Sequence, residues 1–146
     1  MRGCTALKKD TAKIIEELGI CPDFNTFYNE NKNYMVTDTL SKMLEKLLVE
    51  KGLKKSQAIK KSELAEIYAY QIFSGVRIPE RKKLLSLAVG MELTLDEVQT
   101  LLKCAGYSPL YAKRPFDSIT IYGIYNKLSV IEINNILYNY KLETLG

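Results

Sequence analysis

Histidine and tryptophan are absent from this chain of 146 residues, cysteine occurs three times and proline four times. Without histidine the chain lacks the commonest general base near neutral pH and the commonest metal ligand. Lysines, cysteines and carboxylates form no constellation that would replace it, so neither an enzyme nor a cofactor or metal site is expected. The cysteines, Cys4, Cys21 and Cys104, are odd in number and show no CxxC spacing. A disulfide framework or zinc site is therefore not expected, and three reduced thiols are. Long apolar runs are missing too, so no membrane partner is expected. The N-terminus, Met1-Arg2-Gly3-Cys4-Thr5, leads straight into Lys8, Lys9 and Asp10 without the core of a signal peptide. The expected location is cytoplasmic.

What is present is ample material for a helical core. Hydrophobic residues make up 47% of the chain and charged residues 26%, a globular balance that argues against disorder. Ten tyrosines occur. Leu7, Ile14, Ile15 and Leu18 recur at helical spacing and predict a helix over 5–19, stopped by Gly19. Pro22 and the asparagines 25, 29, 31 and 33 then read as a loop to about residue 36. A helix from Thr37 or Asp38 to Gly52 carries Leu40, Met43, Leu44, Leu47 and Leu48 on one face.

Shorter elements follow. Residues 54–61 (KKSQAIKK) predict a basic helix, Ser62-Glu63-Leu64 a tight connection, and Ala65 to Ser74 a second short helix ended by Gly75. After the loop VRIP, Pro79 suits the first position of the next helix, which breaks near Gly90. Two later segments share a pattern: LTLDEVQTLL from Leu93 and LSVIEINNIL from Leu128. Each opens with a capping box, Thr94 with Glu97 and Ser129 with Glu132. Two copies make no repeat protein, and they read as two similarly capped amphipathic helices. Between them, residues 117–125 (DSITIYGIY) alternate like a strand but have no partner strand, so a helix is expected. Tyr122, Tyr125, Tyr138 and Tyr140, with Ile133, Ile136 and Leu137, read mainly as core, with a dimer surface as the other reading.

The order from Thr37 to Leu102 is long helix, short helix, tight turn, short helix, loop, helix, helix. With EKGLKKS (50–56), IFSG followed by Pro79, and KLLSLAVGMELTLDEV (83–98), it resembles the helix-turn-helix domain of the lambda repressor, Cro and XRE family. The resemblance covers about half the chain. It implies an all-α fold: a five-helix lambda-repressor-like DNA-binding domain with an N-terminal helix and a C-terminal helical hairpin. The expected divisions are 1–36, an N-terminal helix and linker; 37–110, the helix-turn-helix domain; and 111–146, a helical extension packed on it.

That family binds double-stranded DNA as transcriptional regulators, and the resemblance makes residues 65–74 the recognition helix. Leu64, Ala69 and Ile72 would then be buried, leaving Ala65, Glu66, Ile67, Tyr70 and Gln71 outward, toward the major groove. In that pose Gln71 would read adenine, Glu66 a cytosine amine, and Ile67 or Tyr70 a thymine methyl. The phosphate-contacting set is Lys54, Lys55, Ser56, Lys60, Arg77, Arg81, Lys82 and Lys83. Residues 54–83 hold eight basic side chains against Glu63, Glu66 and Glu80, a net of +5 in a chain of net +4. A homodimer on a two-fold operator is the expected assembly. A second reading keeps the scaffold as a protein-interaction adaptor without DNA contact. It is favoured by Ile59, where relatives carry a small residue, by Glu66 at the start of the recognition helix, and by Glu63. Relatives often place glycine or asparagine where Glu63 stands, because φ > 0 is favoured there, so Glu63 points to a turn of non-standard geometry.

Overall fold

The computed structural model describes residues 10–32 and 39–146, which are all-helical, with no strand among them. The chain separates into two compact units, Met1–Asp38 and Thr39–Gly146.

In the first unit, α1 (Thr11–Ile20) starts on Asp10, whose carboxylate accepts the Ala12 amide, and runs through Gly19 rather than stopping there. The part of the predicted helix before residue 10 lies outside the described residues. The stretch expected to be a loop contains α2 (Phe24–Asn31). The missed signal is Asp23, which accepts the Thr26 amide at 2.8 Å and caps the helix. Thr26 and the buried Phe27 then turn a polar-looking run into an amphipathic one.

The second unit begins with α3 (Leu40–Lys51), capped by Thr39 and closed by Gly52 in the left-handed region. The expected starting residues, Thr37 and Asp38, lie outside the described residues. Met43, Leu44, Leu47 and Leu48 are all buried, as their spacing predicts. Then come α4 (Lys55–Ser62), α5 (Glu66–Ser74), α6 (Arg81–Gly90), α7 (Leu95–Cys104), α8 (Pro115–Tyr125) and α9 (Val130–Asn139). Residues 117–125 are helical, as expected, and Pro115 rather than a strand signal sets their start. Pro79 does not open α6: it is buried two residues before Arg81, and Glu80 holds the N-cap position.

Glu63 corrects an expectation. It takes φ 61° and ψ 14°, so the α4–α5 turn adopts the left-handed geometry that glycine and asparagine favour. A non-glycine residue there costs roughly 1 kcal/mol. Cys21 is a free thiol.

The centre of the unit is α6, where Leu84 through Ala88 are buried without a break. Its closest neighbour is α4. A methyl group placed on Gly90 would meet the Ser62 amide nitrogen at 2.6 Å and the Ala58 carbonyl at 2.7 Å. Small residues on both helices (Ala58, Ser62, Ser86, Gly90) allow that approach, and Ser86 Oγ donates to the Ser62 carbonyl at 2.6 Å. Across the unit, Lys51 of α3 pairs with Glu97 of α7 at 2.8 Å. Burial works against Glu97's charge, but the hydrogen bond from Lys51 and the Thr94 amide outweigh it and hold the carboxyl below its ordinary range.

The α8–α9 hairpin packs on α6 and α7 and is tied there by an ion pair whose carboxylate is buried and whose guanidinium is half-buried. Arg81 reaches both carboxylate oxygens of Asp117 at 3.1 Å and also donates to the Ser108 and Pro109 carbonyls. Asp117 additionally accepts the Tyr111 amide at 2.9 Å. This hub fixes the chain between α7 and α8.

Candidate nucleic-acid interface

Helix α5 has a buried side and an open side. Ala69 and Ile72 are buried as expected and Phe73 joins them, while Leu64 is half-buried. Ala65, Glu66, Ile67 and Tyr70 are exposed, and Gln71 is half-buried. Ile67 stands 75% open to solvent.

The cations expected to hold phosphate separate into two groups. Arg77 and Lys83 come together on α5, their charged groups 5.2 Å and 5.3 Å from the centroid of the Tyr68 ring. Both are drawn by the ring's negative face. Arg77 also donates from Nε to the Gln71 side-chain oxygen at 2.9 Å, so the loop after α5 orients the amide expected to read a base. On Tyr68, burial pushes the phenol above its ordinary value; the Glu80 carboxylate adds to this, while the Glu80 backbone amide and Arg77 oppose it.

The N-terminal end of α4 also reaches α5. Lys55 lies 5.3 Å from the Phe73 ring centroid and pairs with Glu45 at 2.5 Å. Lys54 and Ser56 beside it are exposed, as is Lys60 at the other end of α4. Among the described residues, Lys54, Lys60, Arg77 and Lys83 take part in no ion pair.

Arg81 and Lys82 belong to the other group. Arg81 is engaged by Asp117 and two carbonyls, and Lys82 faces Glu143 at 3.5 Å. A guanidinium with four protein acceptors has little left for a phosphate. Two residues that matter here were not singled out from the sequence: Tyr68, the platform for two cations, and Asp117, the partner of Arg81. Neither pairing leaves a local signal, since Lys83 lies fifteen residues from Tyr68 and Asp117 lies 36 from Arg81.

Beside α5, Val76 and Ile78 in the following loop are 77% and 76% exposed. The four C-terminal tyrosines, read from sequence mainly as core, are also exposed. Tyr122, Tyr125, Tyr138 and Tyr140 stand 57%, 70%, 76% and 70% open, while Ile133 and Leu137 alone fill the hairpin's interior from that set. No helix among the described residues is long and apolar enough to cross a membrane. No family model, no curated protein and no solved structure matches the chain, so the reading of this surface stands on its own geometry.

Proposed function

We propose that residues 39–146 form a helix-turn-helix regulator of the lambda-repressor and XRE kind, which reads double-stranded DNA through α5. The observation that carries the proposal is the gathering of Arg77 and Lys83 on Tyr68, at the border of an open helix face. The order of α3 to α7 and the left-handed turn at Glu63 support the same reading. In this proposal Lys54, Lys55, Ser56, Lys60, Arg77 and Lys83 meet phosphate, and Arg81 and Lys82 are left out of that set. Glu66, Ile67, Tyr70 and Gln71 face the bases.

The test is a fluorescence-anisotropy titration against duplex DNA from upstream of the gene, at two salt concentrations. The double variant Arg77→Ala, Lys83→Ala should weaken binding to every sequence. It should also reduce the salt slope by about 0.9 for each lost phosphate contact. Gln71→Ala should instead relax the preference at one base pair. Absence of binding to any duplex at low salt overturns the proposal.

A second reading, a protein-interaction adaptor on the same scaffold, is favoured by the exposed Val76 and Ile78 beside α5. Apolar side chains in that loop suit a protein surface better than a phosphate backbone. Under that reading Val76→Ser with Ile78→Ser abolishes capture of the partner, whereas Arg77→Ala with Lys83→Ala leaves it unchanged.

A further inference from the structure

Gln71 lies in the last turn of α5, where its backbone carbonyl is held from three directions. The amides of Val76 and Arg77 donate to it at 3.0 Å and 3.2 Å, and the Ser74 hydroxyl at 3.1 Å. Gly75, at φ 85°, turns the chain back after the helix. Arg77 thereby returns beside the Gln71 side chain and donates from Nε to its oxygen at 2.9 Å, while its guanidinium lies over the Tyr68 ring.

A carboxamide can be turned either way round, its oxygen and nitrogen having the same shape. A guanidinium, however, carries donors and no acceptor. Only the oxygen of Gln71 can therefore face Arg77, and Nε2 must point the other way.

Two other amides of the chain show the fully used case. Gln99 accepts the Leu110 amide at 2.7 Å and donates to its carbonyl at 3.0 Å. Asn134 makes the same pair of bonds to Leu145, at 2.7 Å and 3.4 Å. They stand at matching places in two hairpins that duplicate one another. Adding 35 to a residue number within 81–110 gives its counterpart in 116–145. Glu92 and Lys127 are left-handed at the two joints, and both capping boxes are formed. Gln71 is not closed in this way: among the described residues its Nε2 has no acceptor. It stands half-buried at the border of the open face of α5, offering two N–H groups.

We infer that Gln71 reads guanine, not the adenine expected from its residue type, and that Arg77 is the positioning residue that sets this preference. The inference rests on α5 lying in the major groove, as proposed above. Adenine presents one acceptor, N7, and one donor, the N6 amine. Reading both takes the oxygen and nitrogen of a glutamine together, and here the oxygen is engaged beside a positive charge that repels an incoming amine. Guanine presents two acceptors, N7 and O6, which suit two N–H groups next to a cation. Cytosine offers an amine alone, and thymine a single acceptor beside a methyl group. Only Nε of Arg77 is used in this contact, so its Nη groups keep the phosphate role given to them above.

Selection by the full chain of duplexes from a pool randomised over two helical turns returns the preference at every base pair. At the one position whose preference disappears in Gln71→Ala, guanine should exceed adenine by about tenfold or more. Arg77→Ala frees the amide to turn round, and adenine should rise there to near parity with guanine. Arg77→Lys, which can still donate to the oxygen, should keep the guanine. An arginine that only touched phosphate would lower affinity for all sequences alike and leave the preference unmoved. Circular dichroism checks that each variant is folded. Adenine at that position in the unaltered chain overturns the inference, as does a preference unchanged in Arg77→Ala, or no position that responds to Gln71→Ala. Each of these leaves α5 as the groove helix. Failure to select any duplex overturns that reading and the inference together.

Discussion

The hairpins α6–α7 and α8–α9 are built from the same local devices but live in different surroundings. Each has a left-handed joint, a capping box and an amide clamp. The first is enclosed by α3, α4 and the second hairpin; the second is open on one side and faces solvent with tyrosines. Local interactions are therefore enough to specify a hairpin, whereas its covered or open state is written in a handful of positions along one stripe. Gly90 against Tyr125 is the sharpest of these, because a side chain at Gly90 would strike the α4 backbone.

Exchanging those residues should give the largest contrast. Gly90→Tyr should destabilise the unit by about 4 kcal/mol or more, since backbone cannot move aside as a flexible side chain can. Tyr125→Gly should cost only the helix propensity of an exposed position, about 1 kcal/mol. Urea unfolding followed by circular dichroism measures both, and equal losses would mean that α4 does not discriminate the two hairpins.

Next in size is the pair that exists in one place only. Asp117→Ala removes the partner of a largely enclosed guanidinium and should cost about 3–5 kcal/mol. At the matching position of the first hairpin, Lys82→Ala should cost no more than about 1 kcal/mol, because its partner Glu143 is 80% exposed. Thermal unfolding of the two variants side by side would show whether the Arg81–Asp117 pair or mere surface charge holds the second hairpin.

Smaller effects should be alike in the two copies, which tests the duplication itself. Gln99→Ala and Asn134→Ala each leave a leucine amide and carbonyl unpaired, at about 1–3 kcal/mol. Hydrogen exchange at the Leu110 and Leu145 amides should accelerate in the respective variant and not in the other. Smallest are the caps: Thr94→Ala and Ser129→Ala should each lose about 1 kcal/mol. A clear inequality between them would show that one box is sustained by its surroundings, and the Lys51 bond to Glu97 makes Thr94 the place to look.

Much of the fold could be read along the chain, and the reasons are local. Leu40 to Leu48 carry a stripe at helical spacing, and the two capping boxes are formed as their spacing predicts. The reading failed where a polar segment hid a cap, as at Asp23 before α2, and where strain is tolerated, as at Glu63. The candidate surface was legible as a region but not as a set of working side chains. Lysine and arginine look alike in sequence whether they face solvent or a carboxylate, and Arg81 proved to be held by Asp117. Aromatic residues at helical spacing look like core, yet Tyr122, Tyr125, Tyr138 and Tyr140 face outward.

Sequence alone determined the α4–α9 helices and the two capping boxes that open α7 and α9. These depend on contacts within about five residues, where side-chain type settles the outcome. Tertiary structure decided which cations stay unpaired, which ring they rest on and which hairpin face stays open. Those outcomes join residues from nine positions apart (Arg77 and Tyr68) to 61 (Lys82 and Glu143), and only the packing of whole helices brings such groups within bonding range.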